Sequence, residues 1–330
     1  MLRNAIHRSS FIVHSLKNFL RFIRLPNLII VGLTQYLMRY CILQPFYSRL
    51  DIAPSLDAFH FFLLVLTTML IAAGGYVIND IYDYDIDKIN KPDKVFVGRI
   101  FGLRNAWRMY AWLNVAGIAI ALYVAWQVGD MRLALLFPAA AVPLWLYSRQ
   151  LKKTALMGNV VVSLFCALVA LLVLFAERNA FLQITQTNKN YGEYVFYLFW
   201  GYAAFAYLST MFREIVKDIE DVEGDTAQGC RTMPVLWGIP AAKNIAGGFG
   251  LALAATLVVL MRWQWQNFNW HWLGMFYTFV LIFIPVLLAL LLLSFAKTKA
   301  DFHRLSGFLK LIMLTGLLYL PVFCGLFLLK

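Results

Sequence analysis

The chain has 330 residues, of which 62% are hydrophobic and only 14% are charged, and its mean hydropathy is +0.70. This balance excludes an ordinary soluble globular domain and indicates a membrane protein. The formal net charge of +12 would also suit a nucleic-acid-binding protein, so the positions of the basic residues decide between the two classes.

Apolar stretches long enough to cross a membrane as helices recur along the whole chain. We count nine and predict an all-α membrane protein, in which nine transmembrane helices surround a central cavity as two four-helix halves plus a ninth helix. The predicted spans lie near 26–43, 59–79, 106–128, 132–148, 156–176, 194–212, 241–261, 272–295 and 308–329.

The segment before the first span, residues 1–25, mixes basic residues with apolar residues at helical spacing. We interpret it as a basic helix that lies in the membrane interface. A cleavable signal peptide is the alternative, but charges interrupt its apolar stretch and no small-residue cleavage site follows. The remaining residues, 26–330, then form one polytopic domain.

The basic residues are concentrated on one side of the predicted membrane. With the N-terminus in the cytoplasm, most of the 29 Lys and Arg residues fall in the N-terminal segment and the cytoplasmic loops. The positive-inside rule therefore predicts a multi-pass protein of the inner cell membrane with a cytoplasmic N-terminus. The basic excess follows from this topology and from attraction to anionic membrane lipid. We expect no nucleic-acid partner, and no obligatory protein partner is evident.

Two acidic clusters share the spacing D-x-x-D-x-x-x-D, one at the end of the second predicted span and one after the sixth. Their members are Asp80, Asp83, Asp87, Asp218, Asp221 and Asp225. On a continuous helix the three acids of each cluster fall within an arc of about 60°, whereas Asp85 and Glu223 point away. Both spans run in the same direction, so both clusters are cytoplasmic and can face each other. This arrangement indicates a parallel internal repeat.

Three carboxylates on one helix face repel one another unless a cation lies among them. A solvated loop whose acids pair with neighbouring lysines is the alternative, but the matched spacing of two clusters favours a divalent-cation site formed by all six aspartates. Oxygen ligands favour Mg²⁺ or Ca²⁺, and Mg²⁺ commonly binds carboxylates together with substrate phosphates. We therefore expect Mg²⁺ and a diphosphate whose hydrocarbon tail lies in the apolar interior.

The two clusters resemble the motifs of a known family. "NDIYDYDID" is similar to the first motif of the UbiA superfamily of intramembrane prenyltransferases, and "DVEGD" is similar to the second. The resemblance implies that Mg²⁺ and the acids bind a prenyl diphosphate, whose carbon–oxygen bond breaks to give an allylic cation that an acceptor captures. The catalytic residues implied in this way are Asp80, Asp83, Asp87, Asp221 and Asp225.

Further segments extend the resemblance to the substrate-binding residues. "YSRQLKKTALMGN" implies that Lys152 faces the diphosphate with Tyr147 nearby, and "RLPNLIIVGLTQ" implies that Asn27 faces the active site. Asn79 and Asp218 are expected to orient the diphosphate or its ligands, and Arg213 and Lys217 to donate hydrogen bonds to it. For the basic residues, flanking positive-inside charge remains the alternative.

The acceptor is less defined than the donor. The motifs are most similar to the branch that alkylates geranylgeranylglyceryl phosphate, but that branch continues with an Arg-Pro-Ile-Pro-Ser-Gly-like segment where this chain reads "KPDKVFVGRI". The departure leaves an aromatic acceptor of quinone biosynthesis as the alternative. A cation transporter is the alternative of another class, because acids near membrane helices also form ion sites. Its acids would be expected at the membrane midplane, whereas these lie at the interface.

Overall fold

The computed structural model describes residues 18–84, 97, 98, 100–267 and 272–328. Within this part of the chain the regular structure is helical, and two isolated bridges, Val97 with Phe101 and Thr154 with Arg231, are the only strand-like pairings. The long α-helices are α1 Leu25–Leu37, α3 Ala58–Tyr82, α4 Leu103–Val128, α5 Arg132–Arg149, α6 Met157–Ala176, α8 Lys189–Glu220, α10 Met233–Asn267, α12 Ile284–Phe295 and α13 Lys299–Leu328. The short helices are α2 Gln44–Leu50, α7 Arg178–Thr187, α9 Val222–Ala227 and α11 Trp272–Thr278.

Among the described residues, seven helical segments are long and apolar enough to cross a membrane: Ala58–Tyr82, Leu103–Val128, Met157–Ala176, Lys189–Glu220, Met233–Gln266, Trp272–Phe295 and Lys299–Leu326. Each coincides with a predicted span, which confirms an all-helical, multi-pass membrane protein. The count of nine is not confirmed. The predicted span 26–43 is divided between α1 and the π-helical turn Met38–Leu43, and the span 132–148 corresponds to α5, which has an arginine at each end.

The chain divides into two compact units, one formed by residues 1–33 and 57–150 and the other by 34–56 and 151–330. In the first unit α3 packs against α4 and α5. A Cβ at Gly74 would lie 2.7 Å from the Asn114 amide nitrogen, so glycine allows α3 and α4 to approach closely. The C-terminal end of α3 is fixed by a small core that includes Phe22, Val77 and Ile78. Residues 1–17 of the predicted interfacial helix lie outside the described residues.

In the second unit α8 is the central helix and packs against α6, α10 and α13. The core on its α10 and α13 side is apolar and includes Phe212, Ile215 and Val216. The helix α10 contains a kink at Gly238, where φ is 82° and ψ is 158°. Only glycine adopts such a backbone conformation without strain, and Pro240 follows the kink.

A buried ion pair fixes the end of the second unit that is remote along α8 from the acidic cluster. Arg39, in the π-helical turn, lies 3.1 Å from Glu177, and the two side chains are 3% and 0% exposed. The Glu177 carboxylate also accepts hydrogen bonds from the Ser55 amide at 2.7 Å and from the Tyr47 hydroxyl at 3.2 Å, and Arg39 donates to the Leu56 carbonyl. Burial raises the pKa of Glu177, and the charge of Arg39 acts in the opposite direction. The pair thereby joins the turn, the loop before α3 and the start of α7.

Glu177→Ala should destabilise the protein strongly, because it leaves the Arg39 guanidinium buried without its counter-charge. We expect a loss of about 3–5 kcal/mol in the free energy of unfolding, measured by denaturant titration in detergent micelles. The control is Glu193→Ala, which breaks an exposed pair with Lys189 at 3.8 Å and should cost less than about 1 kcal/mol. Equal losses in the two variants would contradict a structural role for the buried pair.

Candidate active site

The first acidic cluster lies where α3 ends, in the first unit. Tyr82 is the last residue of α3, and Asp83 is its C-cap, with φ −87°, ψ −4° and an amide that donates to the Asn79 carbonyl at 3.0 Å. The side-chain amide of Asn79 donates to Asp83 Oδ2 at 2.9 Å. Asn79 therefore orients Asp83, one of the roles that the sequence predicts for it. Asp87 and Asp85 lie outside the described residues.

Asp80 is held by a residue that the sequence analysis did not assign to the site. Arg24 Nη2 lies 2.9 Å from Asp80 Oδ1, and its guanidinium lies 4.9 Å from the centre of the Tyr76 ring. Arg24 adopts a left-handed conformation with φ 54°, which ends the turn before α1. Its carbonyl accepts the amide of Asn27, and Asn27 is half-buried in the first turn of α1. The segment "RLPN" contains both residues, but the sequence analysis assigned only Asn27 to the active site.

The segment "KPDKVFVGRI" differs from the branch that alkylates geranylgeranylglyceryl phosphate. Its described residues pack against the end of α3. Val97 is 1% exposed, and Phe101 stacks on Phe22 with ring centres 5.1 Å apart. Gly98 has φ +83°, and a Cβ there would lie 2.1 Å from the Tyr84 ring, so glycine is required at this position. Val97 and Phe101 thus anchor this part of the chain to the region at the end of α3.

The second acidic cluster lies where α8 ends, in the second unit. Asp218 is in the last turn of α8, and its Oδ2 accepts a hydrogen bond from the Asn159 amide of α6 at 2.8 Å. Asp221 joins α8 to α9. Asp225 Oδ2 accepts from the Thr232 hydroxyl at 2.9 Å. Asn159 and Thr232 are 7% and 3% exposed, so both donors are fixed by the surrounding packing.

The assumption that three acids of a cluster share one continuous helix is wrong. The helix α8 ends at Glu220, and Asp221 has φ −95° and ψ 4°, a bridge-region conformation that separates α8 from α9. In the first cluster α3 likewise ends just before the middle acid, Asp83. The angular estimate therefore applies only as far as the middle acid of each cluster. The polar residues that follow each span let the backbone leave the helix once it reaches the membrane surface.

The second cluster shares its unit with Lys152. This lysine lies in the 3₁₀ turn Leu151–Lys153, which packs on the start of α6 because Gly158 has no side chain: a Cβ there would lie 2.9 Å from Lys152 Cα. The Lys153 carbonyl accepts the Arg231 amide at 2.8 Å, so the turn pairs with the loop that follows α9. Tyr147 is half-buried in the last turn of α5 and belongs to the first unit.

Arg213 and Lys217 are both paired with a carboxylate that the sequence analysis did not consider. Glu214 Oε1 lies 2.6 Å from Arg213 Nη1, and Glu214 Oε2 lies 3.3 Å from Lys217 Nζ. The Glu214 side chain is 17% exposed and those of its partners are 24% and 40% exposed. The two cations are therefore held near the C-terminal end of α8 by Glu214, which lies one helical turn before Asp218.

The residues present fit a hard divalent cation. The donors are carboxylate oxygens, which suit Mg²⁺ better than softer metals. Among the described residues no group of three or more His, Cys, Asp or Glu side chains converges as a ready-made metal site. Mg²⁺ commonly needs only one or two carboxylates when water and substrate phosphates complete its coordination. The clusters therefore suit a cation that binds together with a phosphorylated substrate.

Comparison with known proteins identifies relatives over most of the chain. Residues 50–315 match the UbiA prenyltransferase family. The digeranylgeranylglyceryl phosphate synthase of Methanoculleus marisnigri is 35% identical over 228 residues, which cover 68% of this chain and 70% of that protein. The enzyme of the same name from Saccharolobus solfataricus is 32% identical over 234 residues, which cover 70% and 73%. Other relatives of this name are covered over a smaller share, such as 61% for Thermococcus gammatolerans.

Solved structures share the fold. A structure described as digeranylgeranylglyceryl phosphate synthase in membranes matches 94% of this chain and 99% of its own, with a TM-score of 0.66 and 24% identity. A UbiA homologue from Archaeoglobus fulgidus bound to DMAPP and Mg²⁺ matches 92% and 99%, with a TM-score of 0.54 and 16% identity. These likenesses show that the chain has the fold of this family.

Thr232→Val should loosen the loop that carries Asp225, because valine keeps the shape of threonine and removes its hydroxyl donor. Loss of a hydrogen bond to a charged group, about 1.5–3 kcal/mol, should speed amide exchange across 225–231 by about tenfold or more. Hydrogen–deuterium exchange with mass spectrometry measures this rate. In the control, Thr226→Val, only an exposed hydrogen bond to the Val222 carbonyl is lost, and exchange should change little. Unchanged exchange in Thr232→Val would show that the hydroxyl does not hold Asp225.

Proposed function

Because the chain belongs to the UbiA prenyltransferase family, we propose that it transfers a geranylgeranyl group from geranylgeranyl diphosphate to geranylgeranylglyceryl phosphate. The acceptor is supported by relatives of this activity's name at 35% and 32% identity over more than two thirds of each protein. The donor class is supported by homologues of the same fold that bind DMAPP or GPP with Mg²⁺. The observation that carries the proposal is that four aspartates of the two motifs are each held by a side-chain donor.

The six motif aspartates would hold Mg²⁺, which when bound would neutralise the diphosphate and so assist its departure. Asn79 fixes Asp83, Asn159 fixes Asp218, and Thr232 fixes Asp225, so these carboxylates are oriented before substrate binds. Such preorganisation removes part of the cost of arranging charge during the reaction. Asp221, at the break between α8 and α9, would complete the second cluster.

Basic residues would hold the diphosphate oxygens from the second unit. Lys152 is carried by the turn just before α6, while Arg213 and Lys217 lie five residues and one residue before Asp218 on α8. Their ammonium and guanidinium groups donate charge-assisted hydrogen bonds, which are about twice as strong as neutral ones. Glu214 keeps the two α8 cations near the mouth of the site when no diphosphate is bound. Asn27 and Tyr147 are also proposed as substrate-binding residues.

We also propose the orientation that the loop charges favour, with the N-terminus and both acidic clusters at the cytoplasmic face of the inner cell membrane. A prenyl diphosphate suits this location, because its charged group remains at the aqueous surface while its chain lies among the helices. The acceptor has the same amphipathic form. The reaction therefore needs a lipid environment and substrates, and no protein partner is invoked.

The acceptor is tested by incubating the purified protein with labelled geranylgeranyl diphosphate, Mg²⁺ and a panel of acceptors, followed by mass spectrometry of the products. We expect the ether with geranylgeranylglyceryl phosphate as the main product, and no product when a chelator removes the metal. A product formed only with 4-hydroxybenzoate, a naphthoate or homogentisate would contradict the proposed acceptor. Cation flux without prenyl transfer would contradict the proposal that the protein is a prenyltransferase.

Asp83→Ala and Asp221→Ala should each lower kcat/KM by more than about 100-fold, because each removes an oxygen ligand that no neighbouring group replaces. The matched control is Glu223→Ala, an exposed acid two residues after Asp221, for which kcat/KM should stay within about threefold. Initial rates of diphosphate release at several Mg²⁺ concentrations measure the effect. A similar loss in all three variants would mean that net charge, and not the motif positions, determines activity.

A further inference from the structure

Ether formation leaves a proton that none of the roles above accounts for. If the proposed function holds, the donor carbon–oxygen bond breaks and its electron pair leaves with the diphosphate. The acceptor hydroxyl oxygen then bonds to the allylic carbon, and its proton must pass to a base. A protonated ether is a far stronger acid than a carboxylic acid, so any ionised carboxylate in contact with the oxygen can accept this proton.

The interface between α6 and α8 carries a row of polar side chains into the membrane-embedded part of the second unit. At one end of the interface Asn159, in the first turn of α6, donates to Asp218, in the last turn of α8, at 2.8 Å. Because the two helices also pack along their length, they are antiparallel. Ser163 lies one turn after Asn159, and Glu214 one turn before Asp218, so both lie one turn further along the interface.

Glu214 is the carboxylate at this level. Arg213 at 2.6 Å and Lys217 at 3.3 Å surround this carboxylate with positive charge. Glu214 is not one of the six motif aspartates, so its carboxylate is available for a different role.

Two polar atoms at this level are buried without a hydrogen-bond partner in the described part of the chain. They are Ser163 Oγ, on a residue that is 0% exposed, and Arg213 Nε. An unsatisfied buried polar group costs about 1–3 kcal/mol, so such groups usually meet a ligand or water. A hydroxyl group satisfies both kinds of partner, because its oxygen accepts hydrogen bonds while its proton is donated to a carboxylate.

We propose that Glu214 is the base of the reaction and that the interface of α6 and α8 receives the acceptor hydroxyl. Arg213 Nε and Ser163 Oγ hold the hydroxyl oxygen, and the proton passes to the Glu214 carboxylate as the new carbon–oxygen bond forms. The ligand class is a primary or secondary alcohol on a lipid, such as the free hydroxyl of a glyceryl lipid. Glu214 side-chain exposure of 17% then lets the proton leave to solvent.

The test separates donor ionisation from proton removal. Glu214→Gln keeps the size and hydrogen-bond acceptor of the side chain but cannot take up a proton, and Glu214→Asp keeps a carboxylate. With geranylgeranyl diphosphate labelled at its bridging oxygen, scrambling of the label reports cleavage of the carbon–oxygen bond alone. We expect Glu214→Gln to retain scrambling within about threefold while single-turnover ether formation falls about 10²–10⁴-fold, and Glu214→Asp to recover most of that loss.

Ether formation in Glu214→Gln within about threefold of wild type would overturn the proposal. Parallel loss of scrambling and ether formation would overturn it as well, because Glu214 would then act only by holding Arg213 and Lys217. Failure of the wild-type protein to alkylate any alcohol acceptor would instead contradict the proposed function, and this measurement comes first. Elution volume and thermal midpoint of each variant confirm that it is folded before rates are compared.

Ser163→Ala provides a second test of the proposed hydroxyl site between α6 and α8. It should raise the KM for the acceptor about tenfold and leave the donor KM unchanged, because it removes one hydrogen bond to the hydroxyl. The matched control is Ser209→Ala, a serine on α8 that is 1% exposed and already bonded to the Phe205 carbonyl at 2.6 Å. An unchanged acceptor KM in Ser163→Ala, or an equal rise in the control, would count against the hydroxyl site.

Discussion

The candidate site depends on holding carboxylates in fixed orientations at the ends of membrane helices. A carboxylate that loses water without gaining a partner becomes protonated or turns away. Here a side-chain donor from a separate turn or helix meets Asp80, Asp218 and Asp225, and Asn79 of the preceding turn meets Asp83. These hydrogen bonds fix the carboxylates but leave oxygen atoms that can bind a cation. The cation can in turn bind a diphosphate. Packing of the donors therefore determines the geometry of the acids.

Two faces of α8 connect this site to the stability of the second unit. One face packs against α10 and α13 through fully buried apolar residues such as Phe212 and Val216. The other face meets α6 and carries Thr210, Glu214 and Asp218 at intervals of four residues. The apolar face holds the helix rigidly, and the polar face presents charged groups at a fixed depth. Changes on the apolar face should therefore affect the reaction only through the position of α8.

Hydropathy and residue spacing predict the helices and the acidic motifs because both are local properties of the chain. The ends of the long helices agree with the predicted spans to within a few residues in most cases, and the longer extents of α8 and α10 reflect polar residues that continue the helix beyond the membrane. The number of spans is harder to predict, because the π-helical turn at Met38–Leu43 interrupts the first span and cannot be recognised from apolar content.

Contacts between residues distant in sequence could not be predicted from the same patterns. Arg24 and Asp80 are separated by 56 positions, and Asn159 and Asp218 by 59. Arg24 looks like one more basic residue of a positive-inside segment, and Asn159 looks like an ordinary polar residue at a helix start. The break at Asp221 depends on a backbone conformation that many residues can adopt. Only the fold distinguishes these residues from their neighbours.

The central claim is that the motif aspartates hold a divalent metal together with the donor diphosphate. The most direct measurement is a crystal or cryo-electron-microscopy structure of the protein with Mn²⁺ and a non-reactive thiolo analogue of geranylgeranyl diphosphate. The account predicts metal density in contact with Asp83 and metal density in contact with Asp221, and diphosphate oxygens bound to the metal. Metal density away from both aspartates, or a diphosphate without contact to the metal, would contradict the account.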